Sequence, residues 1–190
     1  MKAVTPVSLG AELGFEAMSL YKHVAGKEQI LEGTLELVLS QIDIPEEGAD
    51  WREAMRRRAF SARKVLIRHS WAIGLLESGT STGPTALRYM DAILGNLLPA
   101  GFSMEHAAHA FWLLDCYLYG QVIQEVSMPF DSSEETVDTA ASNTEQSMTN
   151  EFPNLAAMYE HASTGGYSFD GEFEFGLDLI LEGLERRRSP

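Results

Sequence analysis

The stretch from Ala107 to Ile123 most constrains the fold, because its helical pattern is apolar on nearly every face. Large apolar side chains fill most of its positions, among them Phe111, Trp112, Leu113, Leu114, Tyr117, Leu118, Tyr119 and Val122. A helix without a polar face has to be covered on all sides. The sequence therefore predicts a core or pocket against one face of this helix, and a second helix or subunit against the other.

Apolar residues recur at helical spacing along the rest of the chain, and strand patterns are nearly absent. Asp50 and Ser103 are predicted N-caps, while Pro45 and Pro99 stop the helices before them. The polar stretch 129–151 is predicted to be a loop with at most a weak helix. We expect an all-α fold with helices near 26–42, 51–66, 69–78, 85–98, 103–123, 152–162 and 168–187.

Composition excludes several classes of protein. The chain has 190 residues and is 45% hydrophobic, enough for one core or for a small head on a larger body. No apolar run approaches the roughly 20 residues that span a bilayer, and Met1–Gly10 does not resemble a secretory signal. The single cysteine, Cys116, fits a reducing compartment. We expect a cytoplasmic protein without a membrane partner.

The net charge of −14 argues against general affinity for nucleic acid. Most of it lies late in the chain, since residues 129–190 hold three Lys/Arg and thirteen Asp/Glu, against three and six in residues 1–43. A dimer that places a few cations well can still bind DNA. Charge alone therefore leaves DNA binding open.

Residues 8–27 have the pattern of a helix-turn-helix. Leu9 and Leu13 lie four apart on a short helix that Gly14 ends, and a second short helix covers about 16–24. Lys27 follows at the start of the next helix, where a lysine can meet a phosphate. Short helix pairs with a glycine turn are common, so this pattern alone is a weak signal for DNA binding.

The same segment also resembles a known family. It is similar in register to the helix-turn-helix of TetR-type (tetracycline-repressor) regulators, through Leu13-Gly14-Phe15, Met18-Ser19-Leu20-Tyr21-Lys22-His23-Val24 and Lys27. The body is similar to the C-terminal domain of the tetracycline-repressor subgroup at Trp51, Gly101-Phe102, Gly120, Phe152-Pro153 and 175–184. The resemblance covers about residues 7–185 and is least certain across 129–151.

This resemblance implies a homodimer that reads a near-palindromic operator and holds a small-molecule pocket in its body. It divides the chain into a head and linker helix at 1–43 and a ligand-binding and dimerisation domain at 44–190. Base edges would meet Ala17, Met18 and Ser19, and phosphates would meet Tyr21, His23 and Lys27, with Lys22 in the same segment. The last long helices would pair as a four-helix bundle, through Leu118, Val122, Phe173, Leu177, Ile180 and Leu184.

The family normally has a full helix before the helix-turn-helix, whereas only Met1–Val7 precede it here, and Pro6 disfavours a helix. A head without its first helix is expected to be loose, with weak or lost operator binding. A truncated start-site assignment explains the sequence equally well. Two functions follow: a repressor that a ligand releases, or a ligand-binding dimer of the same fold that has lost DNA binding.

Aromatic and polar residues of the middle helices are the predicted pocket, and their types suggest an uncharged or weakly polar organic ligand. They are Trp71, Leu75, Asn96, Trp112, Cys116, Tyr119 and Gln121. Asp115 is an unusual charge in an apolar helix. We expect it to pair with Arg88 or a tyrosine, or to face a cavity or the subunit seam.

Catalytic and metal signatures are lacking. The sequence has no glycine-rich phosphate loop, serine nucleophile elbow or Cys-His signature, so we expect neither enzymatic activity nor a cofactor. His106 and His109 are three residues apart, but no third ligand accompanies them at a fixed spacing. No metal site is therefore predicted.

Overall fold

The fold is all-α, as the sequence predicts. The computed structural model describes residues 26–78, 83–127 and 151–188, and these residues contain no β-strand. The helices are α1 (Lys27–Leu39), α2 (Trp51–Arg68), α3 (Trp71–Glu77), α4 (Pro84–Leu97), α5 (Met104–Ser127), α6 (Pro153–His161) and α7 (Phe169–Glu185), with a π-helical turn at Ala162–Gly166 after α6.

Polar side chains begin three of these helices by accepting hydrogen bonds from free backbone N–H groups. The carboxylate of Asp50 accepts from the Glu53 N–H at 3.0 Å, which confirms the predicted cap of α2. The hydroxyl of Ser103 accepts from the His106 N–H at 3.1 Å, as predicted for α5. Ser168 does the same for α7 through the Gly171 N–H at 3.0 Å.

Helix α5 lies at the centre of the packing. It contacts α2, α4 and α7, while α1 packs on α3 and α4. One face of α5 is buried inside the chain, through Ala107, Ala110, Phe111, Leu114, Leu118 and Val122. The opposite face is open, and Trp112, Leu113, Ile123 and Val126 are 61, 47, 48 and 44% exposed. Within the described part of the chain, the helix that the sequence shows as apolar all round is therefore covered on one side only.

Ion pairs join α2 to α7 and use three of the thirteen acidic residues in 129–190. Arg52 lies 3.7 Å from Glu182, and Arg56 pairs with both Glu174 and Asp178. These groups are partly exposed, and exposed pairs contribute only about 0–1 kcal/mol each. They connect α7 to α2 at the surface, while Phe173, Leu177, Leu181 and Leu184 are the buried residues of α7.

Arg63 makes a tighter connection between three helices. Its guanidinium is 2.8 Å from Glu125 of α5 and 2.5 Å from Asp170 of α7, and it lies 5.1 Å from the centre of the Phe173 ring. The Arg63 residue is only 7% exposed. Tyr117 adds a neighbouring contact, because its hydroxyl donates to the Glu172 and Phe173 carbonyls at the start of α7.

Candidate functional site

A cluster of polar side chains lies buried where α2, α4 and α5 meet. The Arg58 guanidinium of α2 donates from Nε to the Tyr89 hydroxyl at 2.7 Å and forms an ion pair with the Asp115 carboxylate. The Tyr119 hydroxyl lies 3.4 Å from the other carboxylate oxygen of Asp115. Arg58, Asp115 and Tyr89 are 1, 5 and 6% exposed. We refer to Arg58, Tyr89, Asp115 and Tyr119 as the buried cluster.

The electrostatics of the buried cluster keep Arg58 charged and both phenols neutral at physiological pH. Burial lowers the pKa of Arg58, but the neighbouring Tyr89 and Asp115 outweigh it and raise that pKa above its ordinary value. Burial and the Asp115 carboxylate raise the pKa of Tyr89 to about 12, against the opposing effect of Arg58. Burial, followed by Asp115, also raises the pKa of Tyr119. Both hydroxyls are therefore available as hydrogen-bond donors.

The prediction for Asp115 is partly corrected. It is paired, and a tyrosine hydroxyl is near it, but its cationic partner is Arg58 rather than Arg88. The Arg88 side chain lies at the surface instead, 3.4 Å from the Thr85 hydroxyl. The position of Asp115 inside one chain also removes it from any subunit seam. Buried ion pairs add little net stability, so this one is a candidate for a binding or switching role rather than a packing necessity.

The predicted pocket residues differ in burial and in the groups that they contact. Trp71, Leu75 and Tyr119 are half-buried against the core, and Tyr119 belongs to the buried cluster. Asn96 is buried, but its amide donates to the Ala49 carbonyl at 3.0 Å, before the start of α2. Gln121 is half-buried and lies on α5, four residues after Tyr117.

Two members of that predicted set lie outside the interior. Trp112 is 61% exposed, and Cys116 is exposed, on the open face of α5. Neither side chain lines an interior space of the single chain. A helix that is apolar on every face does not indicate which face points inward, so the place of these two residues in a pocket stays a prediction.

The residues predicted for the dimer interface lie on α5 and α7, two helices that contact each other within one chain, and most of them are buried there. Five of them are between 0 and 6% exposed in the single chain, namely Leu118, Val122, Phe173, Leu177 and Leu184, and Ile180 is half-buried. Such side chains have almost no surface left to give to a second copy. The apolar surface that these two helices leave open comes from other residues, Trp112, Ile123 and Val126 on α5 and Phe175 and Leu179 on α7.

The predicted DNA-contacting residues Ala17, Met18, Ser19, Tyr21, Lys22 and His23 lie outside the described residues. Lys27 is described, and it is exposed at the first position of α1. That position suits a phosphate contact, because a helix N-terminus carries partial positive charge. The phosphate contact itself stays a prediction.

No group of three potential metal ligands occurs within residues 26–78, 83–127 and 151–188. His109 instead lies 3.8 Å from Glu105, and both border an open depression of about 320 Å³ with His106, Leu184 and Arg187. None of the described helices is long and apolar enough to cross a membrane.

Comparison with known proteins identifies the family. The family model described as "Tetracyclin repressor-like, C-terminal domain" matches residues 44–188. The chain is 29% identical over 187 residues to the HTH-type transcriptional repressor DrrR1 of Streptomyces coeruleorubidus, covering 93% of this chain and 68% of that protein. It is 27% identical over 191 residues to the class C tetracycline repressor protein of Escherichia coli, covering 99% of this chain and 84% of the relative.

Solved structures agree with this assignment. A possible TetR family transcriptional regulator from Streptomyces coelicolor A3(2) superposes with a TM-score of 0.76 at 27% identity, covering 99% of this chain and 92% of that one. ActR of Streptomyces coelicolor in complex with actinorhodin shares the fold, with a TM-score of 0.71 at 23% identity over 97% of this chain and 88% of that one. The chain therefore belongs to the tetracycline-repressor-like C-terminal domain family and is a TetR-type transcriptional regulator.

Proposed function

We propose that this protein is a homodimeric, non-enzymatic repressor in the cytoplasm, which binds operator DNA through residues 1–43 and is released when a small organic ligand binds in residues 44–190. The observation that carries the proposal is the buried cluster, because it joins three helices of the body through Arg58, Tyr89 and Asp115. A ligand that competes for these groups changes how the three helices pack.

The names and structures of the relatives support a repressor that a small molecule controls. DrrR1 and the class C protein are both named as repressors. ActR has been solved with actinorhodin, and a variant TetR of Acinetobacter baumannii with minocycline, so small molecules bind proteins of this fold. BioQ, another protein with this fold, has been solved with its double-stranded DNA operator.

Ligand recognition at the buried cluster is expected to depend on hydrogen bonding more than on charge. Tyr89 and Tyr119 present neutral hydroxyls, and Arg58 and Asp115 already neutralise one another. A ligand that parts α2 from α5 has to replace the interactions it breaks, because an unpaired buried charge is strongly unfavourable. We therefore expect an organic molecule that is largely apolar and carries a few hydroxyl or carbonyl groups. Half-buried Trp71 and Leu75 of α3 are proposed to extend its apolar wall.

Dimerisation is proposed to use the open faces of α5 and α7. Trp112 and Ile123 of α5, and Phe175 and Leu179 of α7, are between 48 and 65% exposed in the single chain. Exposed apolar residues gathered on neighbouring helices are typical of a protein–protein interface. Two copies related by a two-fold axis would bury the same faces against each other, giving four helices at the interface. On the inner side of these two helices lie the buried residues Leu118, Val122, Phe173, Leu177 and Leu184 and the half-buried Ile180.

The test is selection of bound sequences from a pool of random DNA duplexes by the full chain, followed by affinity measurement over a range of salt concentrations. We expect enrichment of a near-palindromic site and a steep salt dependence. A Lys27→Ala variant should lose affinity for all sequences about equally, while Lys64→Ala, an exposed lysine on α2, serves as the control.

The ligand response is tested in a second step. A panel of small organic molecules is screened by thermal shift, and those that raise the melting temperature are added to the DNA complex. Release of DNA by a stabilising compound supports the proposal. A folded dimer that enriches no sequence would overturn the repressor and leave the ligand-binding dimer as the function.

A further inference from the structure

We infer that Glu36 and Gly83 form a latch that couples the linker helix α1 to α4, and through α4 to the buried cluster. This inference rests on the proposed function for its purpose, but its contacts and its test concern only the linker helix and the body and need neither operator DNA nor ligand. The Glu36 carboxylate accepts hydrogen bonds from the Thr85 N–H at 2.8 Å and from the Ala86 N–H at 3.3 Å. Both N–H groups belong to the first turn of α4.

The first turn of α4 relies on Glu36 to complete its hydrogen bonding. The first helical residue is Pro84, which has no N–H, and the Leu87 N–H bonds the Gly83 carbonyl at 3.1 Å. Thr85 and Ala86 carry the two N–H groups of this turn that remain. The N-cap position is held by Gly83, which has no side chain to accept them. A carboxylate from another helix therefore takes the role that a capping Ser or Asp usually has.

Gly83 is needed here for space rather than for backbone conformation. Its φ of −70° and ψ of 163° are open to any residue. A Cβ at this position would lie 2.2 Å from Oε1 and 2.6 Å from Cδ of Glu36. The absence of a side chain is what lets the carboxylate reach the amides. The two residues are thus complementary parts of one contact.

Electrostatics favour the ionised carboxylate in this contact. Desolvation opposes ionisation of Glu36, but the hydrogen bonds from Thr85 and Ala86 and the charge of Arg88 outweigh it and lower its pKa. The partial positive charge at the start of α4 acts in the same direction. The latch is therefore charged and closed at neutral pH.

The latch lies on a continuous path from the linker helix to the buried cluster. Tyr89, one turn beyond Thr85 on α4, accepts the hydrogen bond from Arg58. A displacement of α4 that breaks the Tyr89–Arg58 contact also moves the amides that Glu36 binds. Coupling of this kind needs an element that contacts both ends, and α4 does so through Thr85 and Ala86 at one end and Tyr89 at the other.

The test is hydrogen exchange on the full chain, in a cycle of variants that needs neither operator nor ligand. Tyr89→Phe perturbs the buried cluster, and Glu36→Ala opens the latch. We expect Glu36→Ala to speed exchange at Thr85 and Ala86 by roughly fivefold, the usual effect of losing a helix cap. Glu36→Gln keeps an oxygen acceptor and should restore most of the protection. Glu32→Ala, one turn earlier on α1, is the matched control and should leave α4 unchanged.

The decisive readout is whether Tyr89→Phe changes the amide hydrogen-exchange rates of α1. We expect it to change exchange along 27–39 when Glu36 is present, and to have no such effect in the Glu36→Ala background. Gly83→Ala keeps the Glu36 carboxylate but displaces it from the amides. In this background too, Tyr89→Phe should leave exchange in α1 unchanged. The Gly83→Ala variant also replaces Glu36→Ala in the test if Glu36→Ala fails to fold. If Tyr89→Phe affects α1 equally in all backgrounds, or in none, the latch is overturned. Since DNA is absent, either result leaves the proposed repressor function to its own test.

Discussion

Breaking the buried ion pair from one side is the sharpest test of the structure. Arg58 and Asp115 are 1 and 5% exposed, and each is the other's counter-charge. Replacing Asp115 with Leu leaves a guanidinium with only the Tyr89 hydroxyl as a partner. Stranding a buried charge in this way costs about 3–5 kcal/mol. That is a large share of the roughly 5–15 kcal/mol by which a typical domain is stable.

The double variant Arg58→Met with Asp115→Leu should behave differently. It removes both charges and fills the site with apolar side chains of similar size, so its cost is expected to be near zero, within about 2 kcal/mol. The two single costs together would reach about 6–10 kcal/mol, so the pair should show strong coupling in a double-mutant cycle. Non-additivity of that size distinguishes an ion pair from two independent packing residues.

The assay is unfolding in urea, followed by circular dichroism at one fixed protomer concentration, because dimer stability depends on concentration. Arg57→Met, at the exposed position next to Arg58, is the control and should change the unfolding free energy by less than about 0.5 kcal/mol. The reasoning is refuted if Asp115→Leu costs less than about 1 kcal/mol, or if the double variant costs as much as the two single variants together.

Three further results are expected. Since burial raises the pKa of Tyr89 from 10.0 to about 12, the folded state holds this proton more tightly, so stability should fall as pH rises from 10 to 12, and Tyr89→Phe should remove that part of the decline. Gly176→Ala should destabilise the protein by about 1–3 kcal/mol in the same unfolding assay, because a Cβ there would lie 2.3 Å from the Tyr117 hydroxyl oxygen. Gly95→Ala has open space around it and should instead stabilise the protein by about 0.5–1 kcal/mol. Phe175→Glu places a charge on the proposed dimer face and should shift sedimentation toward the monomer while the helical content stays unchanged; an unaltered dimer would contradict that face.

Local patterns predicted the helices well because helix boundaries depend on neighbouring residues. The caps at Asp50 and Ser103 were predicted from the sequence and are present, since a cap needs only a side chain three residues before the N–H it binds. The predicted helix at 85–98 lies within one residue of α4 at each end. The sequence thus predicts where the helices of this chain begin and end better than it predicts the contacts between them.

Long-range partners could not be predicted in the same way. Arg58 and Asp115 are 57 residues apart, and helical spacing carries no information about which cation meets a given carboxylate across two helices. Arg88, the partner expected for Asp115, is on the neighbouring helix but points to the surface. The exposure of Trp112 and Cys116 could not be predicted for a related reason, because a helix apolar on every face presents no polar face to mark its outside.

The distribution of strong and weak contacts indicates which parts of this body are free to move. Helices α5 and α7 contact each other and hold fully buried side chains, including Leu118, Val122 and Leu177, and closely packed interiors of this kind resist deformation. In α1, by contrast, only Leu35, Val38 and Leu39 are buried, so the half that approaches the head has no fully buried side chain. Glu36 stands at the junction of these two halves. On the proposed coupling, we therefore expect a change in α4 to reach α1 at Glu36, where the buried half of that helix begins.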